Sequence, residues 1–184
     1  VVLRNQIRTT LVPNGHFHPK TGKYFKDVIY GANDGIVTTF AVVAGVAGAS
    51  LSPVVVILLG IANLLGDGFS MAASSFLAYR SERDFYLKQN ASRAWEASNP
   101  QPLRSAVTTF IAFVGAGFLP IFPYIGMPAD GYAFRWSLAM AGASFFTVGA
   151  LRAFFTEKSW LWSGLEMLVV GGFASGIAYI TGFS

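Results

Sequence analysis

The 184-residue chain contains no cysteine. Structural disulfides, cysteine-ligated zinc and cysteine nucleophiles are therefore excluded. Charge is also scarce. Asp, Glu, Lys and Arg make up 12% of the residues, about half of the roughly 25% usual in soluble domains. Histidine occurs twice, as His16 and His18. An H-x-H metal pair is conceivable, but two His in a polar tail read as solvated side chains. No Gly-rich phosphate loop leads into a Lys-Ser or Lys-Thr pair, and no His falls in an apolar run, so no enzyme is indicated. What is abundant is apolar surface, 53% of the chain, and glycine, 20 residues. That balance excludes disorder, a coiled coil and an ordinary globular domain, and it suits closely packed membrane helices.

The few charges are clustered. Arg4, Arg8, Lys20, Lys23 and Lys26 precede the first apolar run, and Arg80, Arg83, Lys88, Arg93 and Arg104 lie between the second and third. Each intervening apolar run is near the ~20 residues that cross a bilayer core. We expect an all-α integral membrane protein with five transmembrane helices, at about 24–51, 54–79, 105–125, 135–152 and 160–181. Residues 1–22 form a polar cytosolic tail, and 23–184 a single transmembrane domain. Residues 1–25 lack an apolar core, so no signal peptide is expected there. Ser52-Pro53 predicts a tight outer turn, Asn99-Pro100-Gln101-Pro102 a break, and Pro120 and Pro123 a kink in span three. A cytosolic N-terminus and an outer C-terminus put twelve of the thirteen basic residues inside, leaving Arg135 outside. Tyr24, Tyr30, Tyr79, Tyr132, Trp136, Trp160, Trp162 and Tyr179 fall near span ends, as an interfacial aromatic belt does. The net charge of +4 follows from topology and needs no nucleic-acid partner. The expected partners are membrane lipid and a cation. The expected location is a bacterial inner membrane rather than a vacuolar one.

Three acids, Asp34, Asp67 and Glu166, fall inside or at the mouth of spans, where no basic residue lies deep. A carboxylate at mid-helix costs roughly 2.5–3.5 kcal/mol on insertion scales. Without basic partners, such groups read as proton carriers or cation ligands. Protonated acids that join helices by hydrogen bonds are the plainer alternative. On a helical wheel, Asn63, Asp67, Ser70, Met71 and Ser74 form one stripe, opposite Leu65, Phe69 and Ala72. Such a stripe must face a partner helix or a wet cavity. Met in a helix is ordinarily packing. One turn from a buried carboxylate it becomes a soft ligand suited to a first-row transition ion. In span one, Asp27, Tyr30, Asp34 and Thr38 share a face, a ladder from the cytosol inward. Asp27 also reads as a solvated interfacial charge. Ala41, Gly45 and Ala49, like Gly172 and Gly176, permit close helix contact.

These residues carry a resemblance. The run from Tyr24 to Ala49, with Asp34-Gly35 at its centre, closely resembles the first span of vacuolar iron transporter family proteins. Asn63-Leu64-Leu65-Gly66-Asp67-Gly68-Phe69-Ser70-Met71-Ala72-Ala73-Ser74 resembles their second, and Ser163 to Gly172 their last. The likeness covers about 22–182. It implies a homodimer, joined through the first span, that exports ferrous iron (or manganese) from the cytosol in exchange for protons. The metal is a transported substrate, and no cofactor is held permanently. The family's metal residues match Asp34 and Met71. Plant members carry a Glu where Asn63 stands, and Asp67 supplies a carboxylate one turn later. The working site is thus Asp34, Asp67, Met71 and Asn63, with Asp27 at the cytosolic mouth and Glu166 as a proton-coupling candidate. Many members insert a Glu-rich cytosolic helical domain between spans two and three, which residues 80–104 do not provide. Nodulin-like members lack it too. A membrane scaffold that keeps the fold without transporting is the alternative.

Overall fold

The computed structural model describes residues 22–88, 101–127, 132–156 and 159–184. His16 and His18, and the break at Asn99-Pro100, lie outside them. Six helices follow in order: α1 Gly22–Gly48, α2 Pro53–Lys88, α3 Pro102–Gly117, the short α4 Phe122–Gly126, α5 Tyr132–Thr156 and α6 Trp160–Phe183. Among the described residues the regular structure is all helical. Three helices among the described residues are long and apolar enough to cross a membrane: Tyr24–Gly48, Pro53–Lys88 and Trp160–Phe183. This is an all-α integral membrane protein.

The helix boundaries follow local chemistry. Pro53 opens α2, where its missing N–H costs nothing. The preceding turn takes Ser50 into the left-handed region, at φ 54°. Pro102 opens α3 in the same way. The kink expected in span three is instead a break. α3 stops at Gly117, residues 118–121 turn, and α4 restarts with Pro123 in its first turn. The freed Pro120 carbonyl accepts a hydrogen bond from the buried Ser137 hydroxyl of α5 at 2.6 Å. α2 also runs on as helix to Lys88, past the predicted span end at 79. Span ends read from hydropathy mark where apolar residues stop, and a polar stretch can continue the helix into water.

α1 lies at the centre and packs against α2, α3, α5 and α6. Ile36, Phe40, Val43 and Val46 of α1 join Val56, Phe145, Val148 and Met167 in the main core. A smaller cluster of Leu64, Phe113 and Ile121 sits between α2 and α3, with Met71 packed against it. Glycines set the closest approaches. A Cβ on Gly117 would stand 2.6 Å from both the Gly35 carbonyl oxygen and a Leu64 methyl, so only hydrogen fits where α3 meets α1. Gly45 and Gly48 approach the α6 backbone at Ala178 and Tyr179. That part of the small-residue run therefore packs within the chain. Gly172 and Gly176 meet nothing within 4 Å, so the close contact expected of them is not made among the described residues. Outward faces are strongly apolar. Phe69 is 70% exposed and Phe173 73%, as suits lipid contact.

Candidate functional site in the membrane

The two polar stripes meet. Asn63 Nδ2 of α2 donates to Thr38 Oγ1 of α1 at 3.4 Å, and the Thr38 hydroxyl donates to the Asp34 carbonyl at 2.9 Å. Asp34 and Asp67 are both partly buried. The spacing that put these residues on two helix faces thus also brings those faces together. The far edge of the α2 stripe, Ser70 and Ser74, remains exposed beside exposed Phe69.

A cavity of about 470 Å³ opens nearer the N-terminal end of α1. Asp27 and Met71 both line it, together with Lys26, Ser74, Tyr79 and Glu82. Asp34, Asp67 and Asn63 are not among its lining residues. The candidate residues therefore fall into two neighbouring groups: Asp34, Asp67 and Asn63 deeper in, and Asp27 with Met71 around the cavity. Met71 packs against the Leu64 cluster, as a helical Met ordinarily does, and also lines the cavity. Among the described residues no three His, Cys, Asp or Glu side chains gather as a metal cluster.

Two expectations change. Asp27 is not a solvated interfacial charge. It is 6% exposed and accepts hydrogen bonds from the Tyr79 hydroxyl, at 3.1 Å, and from the Ser105 hydroxyl. Glu166 does have a basic partner, because Arg152 lies 3.1 Å away, one helix over. Arg152 sits in α5 at the predicted end of span four, and antiparallel packing of α5 on α6 brings it level with Glu166. Glu166 is also 53% exposed, so this acid is less buried than its place in an apolar run suggested. Sequence reading missed Tyr79, Ser105 and Arg152 as partners, because contacts between distant helices leave no periodic signal.

Residues 25–100 and 94–183 match the VIT family in two pieces. The chain belongs to the VIT family. A protein named vacuolar iron transporter from Centaurea cyanus is 26% identical over 215 aligned positions, covering 88% of both chains. Vacuolar iron transporter 1 of Arabidopsis thaliana is 27% identical, over 88% of this chain and 86% of its own. The vacuolar iron transporter of Plasmodium falciparum is 37% identical over 86 residues, 47% of this chain. An alignment of 215 positions is longer than this VIT-family chain of 184 residues, so it places gaps in it. The two family matches meet at 94–100, the segment between α2 and α3.

Proposed function

We propose that this chain carries ferrous iron (or manganese) out of the cytosol in exchange for protons. The observation that supports the reading best is the hydrogen-bonded contact between the Asp34 and Asn63 stripes, with Asp34 and Asp67 both partly buried. Two carboxylates at this depth are costly unless a cation or protons neutralise them. Metal ligation needs the carboxylates deprotonated, so protons and metal compete for the same oxygens. Protons returning from outside would release the ion, and an adjacent thioether favours a transition ion over magnesium or calcium. The relatives named for iron transport point the same way.

In this reading the chain has five spans, with α3 and α4 together making the third and α5 the fourth, an inner N-terminus and an outer C-terminus. It works as a homodimer through the first span. The segment between α2 and α3 lacks the cytosolic metal-collecting domain that the resemblance leads one to expect of longer members. Glu166, paired with Arg152, is the proton-coupling candidate. Plant and parasite relatives named for the vacuole lend no support to the bacterial inner membrane expected above; the integral membrane setting is what carries over.

The test is uptake of Fe²⁺ and Mn²⁺ into proteoliposomes under an imposed pH gradient. Asp34→Ala and Asp67→Ala should each abolish uptake. Unchanged uptake in either variant would overturn the site, and a wild-type chain that folds but moves neither metal would favour the scaffold.

A further inference from the structure

Asp27 stands in a setting unlike that of Asp34 and Asp67. Its carboxylate lies on α1, yet Oδ1 accepts from Tyr79 of α2 and Oδ2 from Ser105 of α3. All three residues are buried. A carboxylate that collects ions at a mouth should present its oxygens to water. Here each oxygen is engaged by a hydroxyl, the usual means of making a buried polar group tolerable. The surroundings extend the same construction. Lys26 Nζ lies over the Tyr79 ring, 4.7 Å from its centroid. The Thr109 hydroxyl, which lines the cavity, donates to the Ser105 carbonyl at 3.0 Å. Lys26, Asp27, Tyr79 and Thr109 together form one wall of the cavity that Met71 faces from α2.

We infer that Asp27 is a positioning residue, a clasp joining α1, α2 and α3 that holds the wall of the cavity, and not itself a ligand of the transported ion. The inference rests on the transport reading for its kinetic test alone; the clasp has a separate physical one. The kinetic test measures Fe²⁺ uptake by proteoliposomes across a range of concentrations. Tyr79→Phe, Ser105→Ala and Asp27→Ala should each lower the maximal rate several-fold and leave the apparent KM within about twofold. Adding Tyr79→Phe to Asp27→Ala should cost little more, because the acceptor of the Tyr79 hydroxyl is already gone. A KM raised about tenfold by Asp27→Ala, with Tyr79→Phe silent, would make Asp27 an ion ligand and overturn the clasp. The physical test exploits a chain without native cysteine. Spin labels at Val28→Cys and Arg83→Cys, both exposed, report the separation of α1 and α2. The distance distribution should widen when Tyr79→Phe is added, and an unchanged distribution would overturn the clasp. If the wild type takes up no metal, the transport reading fails while the label distances still decide the clasp.

Discussion

Replacing Gly35 by Ala probes the contact that sets the depth and direction of Asp34. A Cβ at Gly35 would stand 2.9 Å from the Phe113 carbonyl carbon and 3.0 Å from its Cα, and closer still to its oxygen. Carbon atoms pack comfortably at about 3.5–4.0 Å. The obstacle is helix backbone, which cannot swing aside as a side chain can, so α1 and α3 must separate by something under an ångström. Forcing a methyl into a tight core typically costs about 1–3 kcal/mol. Better helix propensity returns about 0.5–1 kcal/mol for Gly to Ala. The net expectation is a loss of about 1–2 kcal/mol. Gly172→Ala is the matched control. It lies in α6 with nothing within 4 Å of its added methyl, so it should be neutral or slightly stabilising. The assay is reversible unfolding in mixed micelles followed by SDS titration, with both variants measured beside wild type. Metal uptake should also fall several-fold in Gly35→Ala, because Asp34 is the neighbouring residue. If Gly35→Ala unfolds at the same SDS fraction as Gly172→Ala, the close α1–α3 contact is not as described, and the placing of Asp34 against α2 loses its support.

Other outcomes follow from single contacts. Ser137→Ala should cost about 1–3 kcal/mol in the same titration, because it leaves the Pro120 carbonyl without its buried donor; Ser137→Thr, which keeps a hydroxyl, should recover part of that. Lys26→Met removes a cation from a cavity it shares with Asp27 and Glu82, so the apparent KM for Fe²⁺ should fall several-fold, most visibly at low salt. Glu166→Gln should shift stability by under about 1 kcal/mol, since the Arg152 pair is largely exposed; as the proton-coupling candidate it should reduce gradient-driven uptake to the level seen without a gradient, while equilibrium metal binding stays unchanged.

The stripes on α1 and α2 were legible because helical spacing alone puts Asp34 with Thr38, and Asn63 with Asp67 and Met71, on common faces. The same spacing implied that the faces should meet a polar partner, and they meet each other through Asn63 and Thr38. Pro120 and Pro123 announced an interruption, though not that the helix would end and restart. The surroundings of Asp27 could not be read in advance. Its partners lie 52 and 78 residues away, and a hydroxyl on a distant helix leaves no periodic mark. Glu166 misled for a related reason. An apolar neighbourhood in sequence is not an apolar neighbourhood in space, because Arg152 arrives from the adjacent helix.

The 36 residues of α2 make a rod of about 54 Å at 1.5 Å per residue. A hydrocarbon core takes up about 30 Å of such a length. A rigid stem of several turns therefore stands clear of the bilayer at the Lys88 end, in one piece with the turns that carry Asp67 and Met71. Any push, twist or ligand applied to the stem near Arg83 or Lys88 is delivered to those turns without a joint to absorb it.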